Sequence, residues 1–206
     1  MELIVCDSGE QVDASVSKWC EKKVLDFGIK SAFIPAGATP EGLYQLWEKQ
    51  RPAYLKGMKL IQIDDVLSSP QEGIFKKFFE QHLPSFKSQL CFIESGECKA
   101  ELGLLGLGVN GHVAFHEPGI HDDFYSGCVR LSEVTCKNLN LPNGSWGVSY
   151  GAGAFMRCKA VSIIVKGKSK RDILKRLLAK DPTVPASALM NHPRLTIITD
   201  REAYPA

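Results

Sequence analysis

The sequence predicts an α/β fold: a doubly wound, mainly parallel sheet with helices on both faces, as in a Rossmann-like three-layer sandwich. Short apolar runs alternate from end to end with segments whose apolar residues recur at helical spacing. That alternation is typical of parallel strands joined by crossover helices. The chain has 206 residues and shows neither an internal repeat nor a linker. We therefore expect one domain over residues 1–206.

The apolar and β-branched runs are the predicted strands. In chain order they are residues 3–6, 31–35, 59–63, 90–93, 104–107, 128–131, 160–165 and 195–199. Ser8 and Gln11 form a capping-box pattern that begins the first helix, and Gly28 is its predicted end. Thr39 and Pro40 suit the N-cap and first position of the second helix. Further helices are predicted around residues 75–79, over 146–156, from a Ser169 cap through 178, and over 185–190.

Composition and charge exclude several classes of protein. The formal net charge is +2, which gives no strong field for nucleic acid. Seven Lys or Arg lie in residues 166–180, but aromatic stacking residues are missing, so this run is interpreted as a solvated helix face. Seven cysteines without a C-x-x-C pair indicate reduced thiols rather than disulfides or zinc. Neither a signal peptide nor a membrane-spanning run is recognisable, so we expect a cytoplasmic protein without a membrane partner.

The most informative stretch is residues 104–119, LLGLGVNGHVAFHEPG. An apolar run ends in two glycines, and the polar loop that follows carries Asn110, His112 and Glu117. Ligands of α/β proteins bind where strands end in such loops. An imidazole and a carboxylate together favour a functional loop over a structural histidine.

Three other segments offer chemistry at predicted strand ends. Asp64 and Asp65 follow the third strand, although ordinary loop carboxylates are an equally good interpretation. The small-residue loop 36–40 precedes a helix, where backbone N–H groups favour a phosphate. A tight turn explains that loop equally well, and by composition alone Lys170 is a surface lysine.

These segments together resemble the glucosamine-6-phosphate deaminase family. GLGVNGHVAFHEPG resembles the signature G-x-G-x-[DN]-G-H-[IV]-[AG]-F-N-E-P-[GA], whereas the sister 6-phosphogluconolactonases continue T-A-S-L-F-P after G-x-D-G-H. IPAGATP resembles L-P-T-G-x-T-P, QIDD resembles N-M-D-E, and VKGKSK resembles V-x-G-x-x-K. With SYGAG and HPR, the resemblance covers residues 31–200. His116 stands where Asn is usual, and Ala36 where Thr is usual.

The resemblance implies a cofactor-free enzyme of amino sugar metabolism that needs no metal. It would convert glucosamine 6-phosphate to fructose 6-phosphate and ammonia by isomerisation and deamination. His112 would open the sugar ring, Glu117 would fix the tautomer of that histidine, and Asp64 would move a proton between C2 and C1. Asn110 cannot carry a proton as an Asp could, so it is predicted to orient its neighbours by hydrogen bonds.

The resemblance also implies a phosphate site and a small-molecule partner, a hexosamine phosphate. Gly37, Ala38 and Thr39 would bind the phosphate through the loop, and Lys170 would supply a point charge. Arg130 is the one arginine available as a second phosphate ligand in the short stretch from residue 120 to 146.

Two alternatives stay open beside the deaminase. A 6-phosphogluconolactonase would use His112 to activate water, although the F-x-E-P continuation argues against it. A degenerate sugar-phosphate binding or regulatory module would fit Ala36 and the missing helix between Cys98 and Leu102. The shortened middle stretch and the few residues after Asp200 predict a monomer without allostery and with an open site.

Overall fold

Strands and helices alternate through most of the chain. The computed structural model describes residues 1–93 and 98–205. Its strands are β1 Glu2–Cys6, β2 Ser31–Ile34, β3 Lys59–Gln62, β4 Asp64–Val66, β5 Leu90–Cys91, β6 Leu102–Gly106, β7 Ser126–Arg130, β8 Trp146–Tyr150, β9 Ala160–Val165 and β10 Leu195–Asp200. Its α-helices are α1 Gly9–Phe27, α2 Glu41–Gln50, α3 Ile74–His82, α4 Glu133–Asn138, α5 Ala152–Phe155 and α6 Arg171–Leu178.

A seven-stranded sheet forms the centre of the molecule, in the order β1-β10-β9-β6-β2-β3-β5. All of its neighbouring strands are parallel. From β2 the chain proceeds to β3 on one side, whereas from β6 it proceeds to β9 and β10 on the other. The strand order thus reverses between β2 and β6, and such a switch point is where open α/β sheets bind ligands.

Both faces of this sheet are buried beneath helices. Ile163 packs on one side with Phe155 of α5 and Leu174 of α6. Its neighbour Ile164 packs on the other side with Trp47 of α2, in the cluster that also contains residues of α1 and α3. Because successive strand residues point to opposite faces, a strand that is buried on both faces needs a continuous apolar run. The predicted three-layer fold is confirmed.

A second, three-stranded antiparallel sheet of order β4-β8-β7 was not predicted. The predicted helix over residues 146–156 is wrong in its first half, because Trp146–Tyr150 is strand β8 and only Ala152–Phe155 is helical. Strand β8 pairs with β4 on one edge and β7 on the other. Those partners are distant in sequence, so local composition did not reveal the strand.

Helix ends follow the sequence signals only in part. Ser8 accepts a hydrogen bond from the Gln11 amide at 3.3 Å, and Gly28 is left-handed with φ 60°, so both predicted ends of α1 are confirmed. The predicted caps Thr39 and Ser169 are wrong, because α2 begins at Glu41 and α6 begins at Arg171 without a side-chain cap. In residues 1–93 and 98–205, no helix combines the length and apolarity needed to cross a membrane.

Candidate active site

A cleft of about 190 Å³ lies at the carboxyl ends of β2 and β6. The structure brings Thr39, Asp64, His112 and Lys170 together in its lining. These residues come from four separate segments of the chain. Chain-distant strand ends therefore converge at the switch point of the sheet.

His112 is supported from behind by a buried carboxylate. Its Nδ1 lies 3.4 Å from Oε2 of Glu117, and the Glu117 side chain is only 4% exposed. Burial by itself would raise the pKa of Glu117, but hydrogen bonding and charge interaction with His112, with further bonds from Thr135 and Ser132, lower it to about 2. An ionised Glu117 favours a proton on Nδ1 of His112. The other ring nitrogen, Nε2, then carries the free lone pair.

Asn110 joins the two ends of this loop and has a fixed orientation. Its Oδ1 accepts from the His112 backbone N–H at 3.2 Å, and its Nδ2 donates to Oε2 of Glu117 at 2.9 Å. The backbone N–H can only donate, so the amide oxygen must face it and the amide nitrogen must face Glu117. The orienting role of Asn110 stays a prediction.

The loop depends on close backbone packing around His112. The Gly108 N–H donates to the His112 carbonyl at 2.8 Å, and a Cβ on Gly108 would collide with the imidazole ring. Gly111 has φ 88°, and a Cβ there would press on Val184. Both glycines of the motif are therefore required by the geometry that holds His112.

Two residues that sequence reasoning missed complete the support of His112. Ser132 donates its backbone N–H to Oε1 of Glu117 at 3.3 Å, and its Oγ accepts from Asn110 at 3.3 Å. Thr135 places its Oγ1 3.4 Å from Nδ1 of His112. Ser132 is the N-cap of α4 and accepts from the Thr135 amide. A serine at the N-cap followed by an acidic residue, Glu133, in the first turn is a signal that could have located this helix.

Asp64 faces the cleft, whereas Asp65 faces away from it. The Asp64 carboxyl has no hydrogen-bond donor among the described residues and is 6% exposed. Burial, and secondly the charge of Asp65, raise its pKa well above the ordinary value. Asp65 accepts from the amides of Val66, Phe75 and Lys76 at 2.8 to 3.0 Å. Asp65 therefore secures the start of α3, and Asp64 is the carboxyl available for chemistry.

The candidate phosphate ligands lie at one end of the cleft. Thr39 and Lys170 line it, while Gly37 and Ala38 belong to the same turn without lining it. Burial lowers the pKa of Lys170, which has no carboxylate partner among the described residues. A half-buried ammonium without a counter-ion is suited to an anionic ligand. Arg130 is not in the lining, and its guanidinium lies beside Gly144 instead.

His116, the departure inside the motif, is structural here. Its side chain is fully buried, and its Nδ1 accepts from the Ala152 N–H at 3.3 Å. The proton therefore resides on Nε2, which has no hydrogen-bond partner within residues 1–93 and 98–205. Burial lowers the pKa of this imidazole, with Asp122 opposing the shift. His116 thus links the motif loop to the start of α5.

The described part of the chain contains no group of three or more His, Cys, Asp or Glu side chains that could hold a metal ion. The site is built instead from one imidazole, two carboxyls, one ammonium and backbone or hydroxyl groups. Such groups can transfer protons and bind an anion.

Several known proteins resemble this chain in sequence or in fold. No family model matches the chain. Glucosamine-6-phosphate deaminase of Lactobacillus delbrueckii subsp. bulgaricus is 29% identical over 209 residues, covering 88% of this chain and 89% of the relative. The structure of a monomeric glucosamine-6-phosphate deaminase has a TM-score of 0.82 and 22% identity, with 98% of each chain covered. The 6-phosphogluconolactonase of Trypanosoma brucei has a TM-score of 0.77 and 14% identity, covering 98% of this chain and 97% of its own.

The protein therefore has the α/β fold that glucosamine-6-phosphate deaminases and 6-phosphogluconolactonases share. The predicted resemblance to the glucosamine-6-phosphate deaminase family is confirmed by relatives of that name, which match most of this chain at 26–29% identity.

Proposed function

We propose that this protein converts glucosamine 6-phosphate and water to fructose 6-phosphate and ammonia. The observation that carries the proposal is that Asp64 and His112 line one cleft together with Thr39 and Lys170. The reaction needs a group that opens the ring, a base between C1 and C2, and a phosphate anchor. Each requirement has a candidate side chain in this cleft.

Ring opening is assigned to His112. Because Glu117 favours the proton on Nδ1, Nε2 can accept the proton of the O1 hydroxyl and return a proton to the ring oxygen O5. The O1 carbonyl forms as the C1–O5 bond breaks. Glu117 stays ionised and stabilises the imidazolium that forms in between, as the low pKa of Glu117 allows.

Proton transfer between the sugar carbons is assigned to Asp64. As the carboxylate it removes the proton from C2, and the ammonium on C2 of the substrate supplies a proton to O1, which leaves a neutral enolamine. Asp64 then returns its proton to C1. The product is an iminium at C2; water adds there, ammonia leaves, and the ketone of fructose 6-phosphate remains. The raised pKa of Asp64 suits a group that must both take and return a proton.

The phosphate is assigned to Thr39, Lys170 and the turn from Gly37 to Thr39. The ammonium of Lys170 is available to bind an anion, because it is half-buried and lacks a carboxylate partner among the described residues. Binding at this remote group holds C1 and C2 beside Asp64, which raises the rate through orientation.

Lactone hydrolysis is the second candidate. A histidine polarised by Glu117 could activate water for attack on a lactone carbonyl, and the fold is shared with 6-phosphogluconolactonases. The buried Asp64 carboxyl argues against it, since lactone hydrolysis leaves a base of that kind without a task.

The test compares both substrates on the purified protein. We expect ammonia release from glucosamine 6-phosphate, with no hydrolysis of 6-phosphogluconolactone above background. His112→Ala should abolish ammonia release, and Glu101→Gln, far from the cleft, serves as the control. If the wild type releases no ammonia at millimolar substrate, the deaminase proposal is wrong. Lactone hydrolysis that His112→Ala abolishes would favour the second candidate.

A further inference from the structure

A buried ion pair joins helix α1 to the segment that directly follows β9. Asp13, on α1, accepts from Nζ of Lys166 through both carboxylate oxygens, at 2.9 and 3.1 Å. The side chains are 11% and 18% exposed, so both charges are largely removed from water. The Lys22–Asp26 pair, by contrast, lies on the surface.

One side of the pair holds the helix that follows the phosphate loop. Burial raises the pKa of the Asp13 carboxylate, and Lys166 together with the Leu43 backbone N–H, in the first turn of α2, opposes that shift. A Cβ on Gly42 would collide with Oδ2 of Asp13, so the close approach requires glycine there. Thr39, which lines the cleft, is only three residues before Gly42.

The other side of the pair holds the segment that carries the candidate phosphate lysine. Lys166 directly follows β9, and its aliphatic stem passes Gly9 at the start of α1, where a Cβ would be 3.5 Å from it. Lys170 comes four residues later, at the end of a short 3₁₀ turn over Lys168–Lys170. Lys166 is not in the cleft lining, whereas Lys170 is.

We propose that Asp13 and Lys166 form a clamp that fixes the separation of the two phosphate-binding walls, the Thr39 turn and the Lys170 turn. They are positioning residues and do not touch the substrate. The clamp rests on the proposed function, because it presumes that the phosphate of the sugar binds between those turns.

The physical argument is that breaking one partner leaves the other as a buried, unpaired charge. Such a charge is costly, so the structure relaxes by moving one of the attached segments toward water. Either segment carries a wall of the cleft. A shift of the order of 1 Å far from the reacting atoms can weaken a bound geometry strongly.

The test measures phosphate binding and turnover separately. Inorganic phosphate is titrated into the protein by calorimetry, and KM and kcat are measured with glucosamine 6-phosphate. The variants are Asp13→Asn, which keeps shape and loses charge, Lys166→Met, and the two combined. We expect each single variant to raise the phosphate Kd and KM about tenfold, with kcat changed less than about threefold. The combined variant should match a single one, since both remove the same interaction.

Two controls separate positioning from general destabilisation. Glu101→Gln breaks an ion pair with Lys159 at the amino ends of β6 and β9, away from the cleft, and should leave KM and Kd unchanged. Lys166→Arg keeps the charge and should retain Kd within about threefold of the wild type. Thermal unfolding of every variant shows whether it is folded. If Lys166→Met does not fold, the comparison of the single variants Asp13→Asn and Lys166→Arg tests the clamp instead.

The outcomes distinguish the clamp from the proposed function. If the wild type neither binds phosphate nor releases ammonia, the proposed function fails, and the clamp with it. If the wild type does both and the Asp13 and Lys166 variants have unchanged Kd and KM, the clamp alone is overturned. Tighter phosphate binding by Asp13→Asn would also overturn the clamp, because Lys166, released from Asp13, would then bind the phosphate itself.

Discussion

Asp64 and Asp65 are neighbours in sequence with opposite environments. Asp64 is buried at the cleft without a donor among the described residues, and Asp65 receives amide donors at the start of α3. Adjacent strand residues point to opposite faces, so one strand supplies both the proposed base and a structural carboxyl. The pair allows function and stability to be separated by matched substitutions.

Asp64→Asn is expected to lower kcat about 10²- to 10⁴-fold, because the base between C1 and C2 is lost. The same change should stabilise the fold at neutral pH. The pKa of Asp64 is raised above 3.8 in the fold, so the folded state binds the extra proton and wild-type stability falls as pH rises past 3.8. Ammonia assays and unfolding temperatures at pH 3.5 and 7.5 check both effects.

The matched control is Asp65→Asn. It should cost about 1 kcal/mol of stability through the weakened start of α3, with a much smaller loss of kcat. Equal kcat losses in the two variants would contradict the assignment of the base to Asp64.

Asn110 donates a hydrogen bond to the Glu117 carboxylate beside His112. Asn110→Asp would place a second carboxylate near Oε2 of Glu117, where Nδ2 now donates at 2.9 Å. Like charges raise each other's pKa, so the pKa of Glu117 should rise from about 2. We expect the acid limb of the kcat/KM profile to move to higher pH.

Asn110→Asp should also change how the stability of the fold depends on pH. In the wild type, the lowered pKa of Glu117 adds stability above its ordinary value of 4.5, and this stability is lost as pH falls toward about 2. Unfolding of Asn110→Asp followed against pH should show that loss beginning at higher pH. A pH profile that superimposes on the wild type would show that residue 110 does not influence the pair.

At the scale of elements, α4 connects helix capping to catalysis. Ser132 caps α4 and also contacts Glu117 and Asn110, whereas Ser8 caps α1 away from the cleft lining. Ser132→Ala and Ser8→Ala should each cost about 1 kcal/mol of stability. Only Ser132→Ala should lower kcat, by about tenfold, because Glu117 and His112 lose alignment.

Measuring unfolding free energy and kcat for both serine variants makes the comparison direct. The two caps are matched, since each serine accepts from the amide three residues later at 3.3 Å. An equal effect on kcat, or none from Ser132→Ala, would show that α4 only covers the site.

At the scale of the whole molecule, the sheet of seven strands carries the smaller sheet at its carboxyl edge. Strand β4 continues from β3 after a single residue, and its pairing with β8 brings Asp64 over the cleft. The main sheet supplies rigid strand ends, and the small sheet supplies Asp64, the proposed base. The catalytic proposal therefore depends on how two sheets meet.

We predict that the protein is a monomer, because its middle stretch over residues 120–146 is short. Sedimentation or light scattering should give a mass near 22.7 kDa, and specific activity should not depend on protein concentration. A dimer mass, or activity that falls on dilution, would contradict this prediction.

Much of the site was predictable because its residues are close in sequence or directly follow strands. Asn110, His112 and Glu117 lie within eight residues, so one loop holds all three together. The helical periodicity of α1 and its Ser8 cap are also local properties. The same local reasoning failed at Thr39, where tertiary contact with the end of β6 places the side chain at the cleft instead of at a cap.

The sequence by itself determined the α/β class, the buried strands and the identity of the motif loop, since these depend on periodicity and on neighbouring residues. Only the tertiary structure decided which distant groups meet. Thr135 reaches His112 across 23 residues, and Lys166 reaches Asp13 across 153. Such contacts arise when packed elements exclude water around pairs of polar groups. No pattern within one segment encodes the partner, so folding alone brings the two groups together.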